Sequence, residues 1–327
     1  MRRTLGAGTA LLLAPMATLT HAGLRTLVDE FGGCDLAVSE MISAEALLAG
    51  TQYEPYYTRT EPDPSRLIFQ LVGYSQDALV NAAAILARTD AAGIDVNMGC
   101  SAPHIVRKGG GIAWMADASR AESLVARLRR ITDTKSVSIK LRLGVTDDPD
   151  ALLTFCTRMA GAGVDFVTLH PKSRRDGASR PARWSYVRML REEIGVTIVG
   201  NGGITGAETL QARIDEAGAG PVMIGRAAAR APWVFAYLKQ RMAGGGEYGV
   251  DLARTAARFF ELLEHYQPQD FLATRAARFA SYFTGNLTFG HSLGARLAQC
   301  RSYERIKDEL LAYFRNHPDT VHYRERG

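Results

Sequence analysis

Eight short apolar runs recur along the first two thirds of the chain: TALLLAPM (9–16), LAVSEM (36–41), LIFQLVG (67–73), IDVNMG (94–99), SVSIKLRL (136–143), FVTLHP (166–171), VTIVGNG (196–202) and PVMIGRA (221–227). Most lack a clean polar alternation, the mark of parallel strands buried on both faces. Amphipathic stretches such as 75–93 and 117–133 separate them, with Asp117 or Ser119 placed to cap the second. Eight such strand–helix units fill the length of a closed barrel. An open doubly wound sheet would carry a GxGxxG turn after its first strand, and LAPMAT has none. The predicted fold is therefore an α/β (β/α)8 TIM barrel over residues 1–243. After Gly244-Gly245-Gly246 the pattern changes to helical spacing at 251–266, 273–287 and 301–317, with no clear strand. That predicts a C-terminal helical-bundle domain over 247–327.

Composition narrows the class without changing the fold. With 46% hydrophobic and 22% charged residues among 327, the chain is an ordinary globular protein, not a disordered or collagen-like one. A net charge of +5 permits a nucleic-acid partner without demanding one. Cys34, Cys100, Cys156 and Cys300 form no CxxC pair, so neither a zinc site nor a disulfide framework is expected, and no metal is assigned. Arg2-Arg3 before an apolar stretch resembles an export signal. Pro15 interrupts that stretch, and Leu11–Met16 is needed as the first strand, so a cytoplasmic, monomeric protein without a membrane span is expected.

In such a barrel the reactive groups stand at the C-terminal strand ends. These ends carry Pro15-Met16, Glu40-Met41, Gln70, Asn97 with Cys100, Lys140 with Arg142, His170, Asn201-Gly202-Gly203 and Gly225-Arg226. Turns at the ends of strands seven and eight are a ready phosphate site, and Arg226 adds a charged donor. One phosphate site without a long glycine fingerprint suits a mononucleotide such as FMN. Lys140 and His170 then stand where a cation can stabilise a reduced flavin, although an isolated strand-end lysine often just reaches solvent. Gln70 and Asn201 offer the donor and acceptor that the ring's amide edge needs. Cys100 opens a loop containing Gly109 to Gly111, and its type permits a general acid, a nucleophile or an inert thiol. Cys34, Cys156 and Cys300 read as packing residues. Lys172, Arg174, Arg175, Arg180 and Arg183 crowd the segment after strand six. With Arg107 and Lys108 they suggest a track for a phosphate backbone, against the ordinary reading of a solvated loop.

These residues together resemble the tRNA-dihydrouridine synthase family, as a divergent member. APMATLTHAGLR is similar to the family's opening segment, and DVNMGCSAPHIVRKGGGIAWM to its DxNxGCP catalytic segment. IKLRLG, TLHPKSR, VGNGGI and MIGRAAARAPWVF follow in the family's order. The resemblance implies FMN-dependent reduction of the C5=C6 bond of specific tRNA uridines, with NADPH as reductant. It makes Cys100 the proton donor. Pro15, Met16, Gln70, Lys140, His170, Asn201, Gly202, Gly203, Gly225 and Arg226 become cofactor contacts. Asn97, Arg142, Arg107, Lys108, Lys172, Arg174 and Arg175 become substrate contacts. Ser101 stands where the family has proline, Pro171-Lys172 replace GR of its HGRT, and Gly203 replaces an acid. Two other functions fit parts of the sequence: an FMN-barrel reductase of a small molecule, of dihydroorotate or enoate type, and a non-catalytic RNA-binding barrel.

Overall fold

The structure, a computed structural model, describes residues 9–132, 134–144, 147–176 and 180–325. Its eight principal strands are β1 (Leu11–Leu13), β2 (Leu36–Val38), β3 (Leu67–Val72), β4 (Gly93–Met98), β5 (Ser136–Leu141), β6 (Phe166–Leu169), β7 (Thr197–Asn201) and β8 (Val222–Ile224). Each pairs in parallel with the next. β1 pairs with β8 and closes the barrel. All eight apolar runs contain strands, Leu11–Leu13 among them; Arg2-Arg3 lie outside the described residues.

The helices between strands include α1 (Ala22–Phe31), α2 (Gln76–Leu86), α3 (Ala118–Ile131), α4 (Pro149–Ala162), α5 (Ser185–Glu193), α6 (Ala207–Ala217), α7 (Arg226–Arg230) and α8 (Val234–Met242). Asp117, not Ser119, caps α3 by accepting from the Arg120 N–H at 2.9 Å. Side chains alternate along the strands. Leu11, Leu13, Phe69, Leu71, Val96 and Ile139 face the helices. Leu12, Leu36, Val38, Ile68, Phe166, Val199 and Met223 form a second, smaller cluster on the opposite face, which plugs the barrel. Further along that inner face the residues turn polar: Gln70, Asp95, Asn97, Ser138 and Lys140, in register across β3 to β5. Apolar packing thus fills one end of the barrel and chemistry occupies the other.

The C-terminal region holds α9 (Leu252–Tyr266), α10 (Gln269–Phe283), α11 (Gly290–Ala298) and α12 (Tyr303–Asn316). The expectation of no strand here is overturned. β9 (Tyr248–Asp251) pairs antiparallel with β10 (His322–Glu325), so the end of the chain returns to the linker. Both strands are four residues long, too short for a pattern of apolar positions to reveal them. Phe259 stacks on Phe279 at 3.6 Å, and Phe279 on Phe283 at 4.9 Å. Phe259 and Leu263 share one continuous core with Leu24 and Leu27 of α1, so the helices are packed onto the barrel by apolar contact. No described helix is long and apolar enough to cross a membrane.

Candidate active site

A cavity of about 800 Å³ opens at the C-terminal strand ends. Lys140, Arg142, His170, Asn201, Gly202 and Gly203 line one side, while Pro15, Met16, Gly225 and Arg226 line another. Tyr282 of α10 and Arg230 of α7 extend the wall toward the helical region. Strand ends far apart in sequence therefore converge on one space, as the barrel geometry requires.

The cavity is cationic. Burial pushes the Lys140 ammonium down to about 8, with Asp95 opposing that shift and Arg142 adding to it. Burial also lowers Arg142 and Lys172, and Lys172 feels the positive charges of Arg142 and Arg226. His170 stands among Lys140, Arg142, Lys172 and Arg226; burial first, then these charges, hold it down to about 2. It is neutral at every working pH. Acidification adds a proton to this imidazole in the unfolded chain before the folded one, so stability falls as pH drops below the ordinary histidine range. In the ligand-free protein the ring resonances of His170 are expected to stay constant between about pH 5 and 8, where a free histidine titrates. A midpoint in that window would show that the ring is not buried among these cations.

Gly202 explains how the ring is seated. Its φ is +119°, and a Cβ there would lie 2.7 Å from His170 Cδ2, so any side chain would displace the imidazole. Asn201 donates from Nδ2 to the Met223 carbonyl at 2.8 Å, which ties β7 to β8 at the cavity floor.

Cys100 lies just beyond the cavity wall, half-buried, within electrostatic reach of Lys140 and Arg142. Its backbone is held on both sides. Its N–H donates to Asn97 Oδ1 at 2.8 Å, and its carbonyl accepts from the Ile112 N–H at 2.9 Å. Gly111, at φ +58°, makes the second contact possible, since a Cβ there would sit 2.3 Å from the Cys100 oxygen. Gln70 is fully buried behind the wall. Its Nε2 donates to Asp95 at 2.7 Å and its Oε1 accepts from Asn97 Nδ2 at 2.9 Å.

The basic track is shorter than the sequence suggests. Arg180 pairs with Asp176 at 2.8 Å, and Arg183 pairs with Asp176 and Asp147. Lys172 is buried and belongs to the cation cluster of the cavity. Arg107, Lys108, Arg174 and Arg175 are exposed at the mouth loops. Cys34 and Cys156 are buried thiols pushed up to about 12, and Cys300, only partly buried, packs against the core as expected. Reading the sequence placed Glu40 at a strand end but missed its partner Arg275, and it missed Asp95 and Tyr282. Asp95 had a signal: it lies two residues before Asn97, on the same strand face.

A closed barrel whose last strand ends and cationic walls surround one space, with a thiol fixed beside it, has the architecture of a barrel enzyme. The sequence profile of the dihydrouridine synthase (Dus) family matches residues 12–316. The chain belongs to that family and is an oxidoreductase. It is similar to the probable tRNA-dihydrouridine synthase of Rhodobacter capsulatus, with 30% identity over 259 residues, 78% of each chain. Probable tRNA-dihydrouridine synthase 1 of Synechocystis is 25% identical over 303 residues, 91% of this chain and 84% of that one. The tRNA-dihydrouridine(47) synthase [NAD(P)(+)] of Cryptococcus neoformans is 30% identical over 245 residues, 70% of this chain and 34% of that one. Among solved structures, a 2-naphthoyl-CoA reductase complex superposes with a TM-score of 0.57 at 12% identity. It covers 75% of this chain and 52% of its own, a likeness of fold alone.

Proposed function

We propose that the chain reduces uridine in tRNA to 5,6-dihydrouridine, with NAD(P)H as reductant and FMN held in the strand-end cavity. The observation that carries the reading is the cavity itself. Its volume falls within the ~300–1,000 Å³ of cofactor sites, and its walls carry Lys140, Arg142 and Arg226. The residues fit the group. The Gly202–Gly203 and Gly225–Arg226 turns would hold the phosphate, and a Cβ at Gly202 would push His170 out of its place beside them. Lys140 and His170 would face the ring, and Pro15 and Met16 would pack against it. Gln70 would support the site from behind, because both its amide groups are engaged within the protein.

When bound there, FMN supplies hydride chemistry. The chain's own contribution is positional and electrostatic. Arg142 and Lys140 offer positive charge for the electron density that develops on the uracil carbonyls. Cys100 Sγ gives its proton to uracil C5 and regains one from solvent. Arg107, Lys108, Arg174 and Arg175 would contact the RNA backbone, with the helical region of residues 247–327 as the second wall of the groove. The target nucleotide must leave its stack, at a cost of about a few kcal/mol.

The test uses purified protein with FMN, NADPH and unmodified tRNA, read by nucleoside mass spectrometry. The expected result is a mass gain of two hydrogens at defined uridines, with tRNA binding that weakens as salt rises. Oxidation of NADPH by a small enone or dihydroorotate-type substrate, with no change in tRNA, would replace this reading.

A further inference from the structure

Four polar side chains lead from the barrel interior to Cys100. Asp95 Oδ1 accepts from Ser138 Oγ at 2.6 Å, and its Oδ2 accepts from Gln70 Nε2 at 2.7 Å. Gln70 Oε1 accepts from Asn97 Nδ2 at 2.9 Å. Asn97 Oδ1 then accepts from the backbone N–H groups of Gly99, at 3.2 Å, and Cys100, at 2.8 Å. Asn97 Nδ2 also approaches Met41 Sδ at 3.2 Å, so its amide is saturated. Asp95, Gln70 and Asn97 are each less than a tenth exposed, and water does not compete for these bonds.

The direction of the chain is fixed at both ends. An ionised carboxylate only accepts, and a backbone N–H only donates. Reversing either amide would set acceptor against acceptor at Asp95, or donor against donor at Cys100. Resting on the reading of Cys100 as proton donor, we infer that Asp95 is a positioning residue for that cysteine. Its carboxylate orients Gln70, Gln70 orients Asn97, and Asn97 anchors the Cys100 backbone beside Lys140. Strand register makes this possible, because Gln70 and Ser138 are the direct neighbours of Asp95 on either side. Burial raises the Asp95 carboxyl to about 6, while Ser138, Gln70 and Lys140 hold it down, so it is ionised at neutral pH.

Moving the carboxylate by one link tests the inference. Gln70→Glu sets two acceptors face to face and breaks the chain at neutral to alkaline pH. Asp95→Asn added to Gln70→Glu restores it: the new amide donates to the carboxylate at 70 and accepts from Ser138, and the other carboxylate oxygen still accepts from Asn97. The readouts are amide hydrogen exchange at Gly99 and Cys100, and dihydrouridine formation against the rate of flavin reduction by NADPH. For Gln70→Glu the expected result is exchange about tenfold faster at those two amides, with product formation lowered more than flavin reduction. The double variant is expected to recover both toward the original protein. A double variant no better than Gln70→Glu, in folding, exchange or product, overturns the inference. The exchange readout stands apart from the chemistry: restored protection without restored product would leave Asp95 as the anchor and remove Cys100 as the acid.

Discussion

Cys100→Ala is expected to lower dihydrouridine formation by about 10²–10⁴-fold, the range a positioned general acid contributes. FMN retention and flavin reduction by NADPH should be unchanged. The reason lies in how the residue is mounted. Its N–H and carbonyl, held by Asn97 and Ile112, fix the loop, so losing the side chain removes a proton without moving the backbone. Lys140, His170 and Asn201, which line the cavity, are untouched. Stopped-flow bleaching of the flavin separates the first half of the reaction from the second, and nucleoside mass spectrometry reads the product. Cys100→Ser should recover a small fraction, because a hydroxyl is a far weaker acid than a thiol. Full product from the alanine variant would show that solvent or another group protonates C5.

Glu40→Ala is expected to destabilise the protein by about 3–5 kcal/mol, because it strands a buried guanidinium. Glu40 Oε1 accepts from Arg275 of α10 at 2.7 Å, and both side chains are almost completely buried. Glu40 Oε2 also accepts from the Thr18 N–H at 2.9 Å, in the loop that leads from β1 past Pro15 and Met16. One carboxylate thus ties the cavity lip to the helical region. Arg275 is further enclosed by the rings of Phe271 and Tyr57, at 4.9 and 5.6 Å. The melting temperature should drop by roughly 4–7 °C. Arg275→Met combined with Glu40→Met should recover much of the loss, because Arg275 no longer leaves a stranded charge and the nearby buried Arg25 keeps its bonds to the carbonyls of Thr20, Arg59 and Glu61. A loss below 1 kcal/mol for Glu40→Ala would mean that water reaches the pair. A double variant as unstable as the single would mean that the Thr18 contact, not the ion pair, carries the energy.

These two sites differ in how far the sequence exposes them. Cys100 sits at the end of an apolar run and before a glycine-rich loop, and its neighbours match the segment that names its family. Glu40 also ends an apolar run, but its partner is 235 residues away, and no local pattern joins them. Asp95 lies between: period-two alternation puts it on the face of Asn97, yet only the pairing of β4 with β3 and β5 shows what it holds. Gln70 is the converse. Its strand-end position suggested direct cofactor contact, while both amide groups turned out to be engaged behind the wall. The segment 171–184 read as a uniform basic track, and Asp147 and Asp176 withdraw Arg180 and Arg183 from it.

Sequence alone determined the barrel, because each strand must be apolar enough to be buried on both faces and each unit repeats that demand locally. It also determined the reactive residue types, since strand ends are where a barrel leaves its chain free to vary. Tertiary structure decided which of those residues reach the cavity, which stand behind it, and how the helical region is locked on. Hydrogen-bond direction and the pairing of buried charges depend on distances between segments far apart in the chain, and a linear pattern carries no such distances.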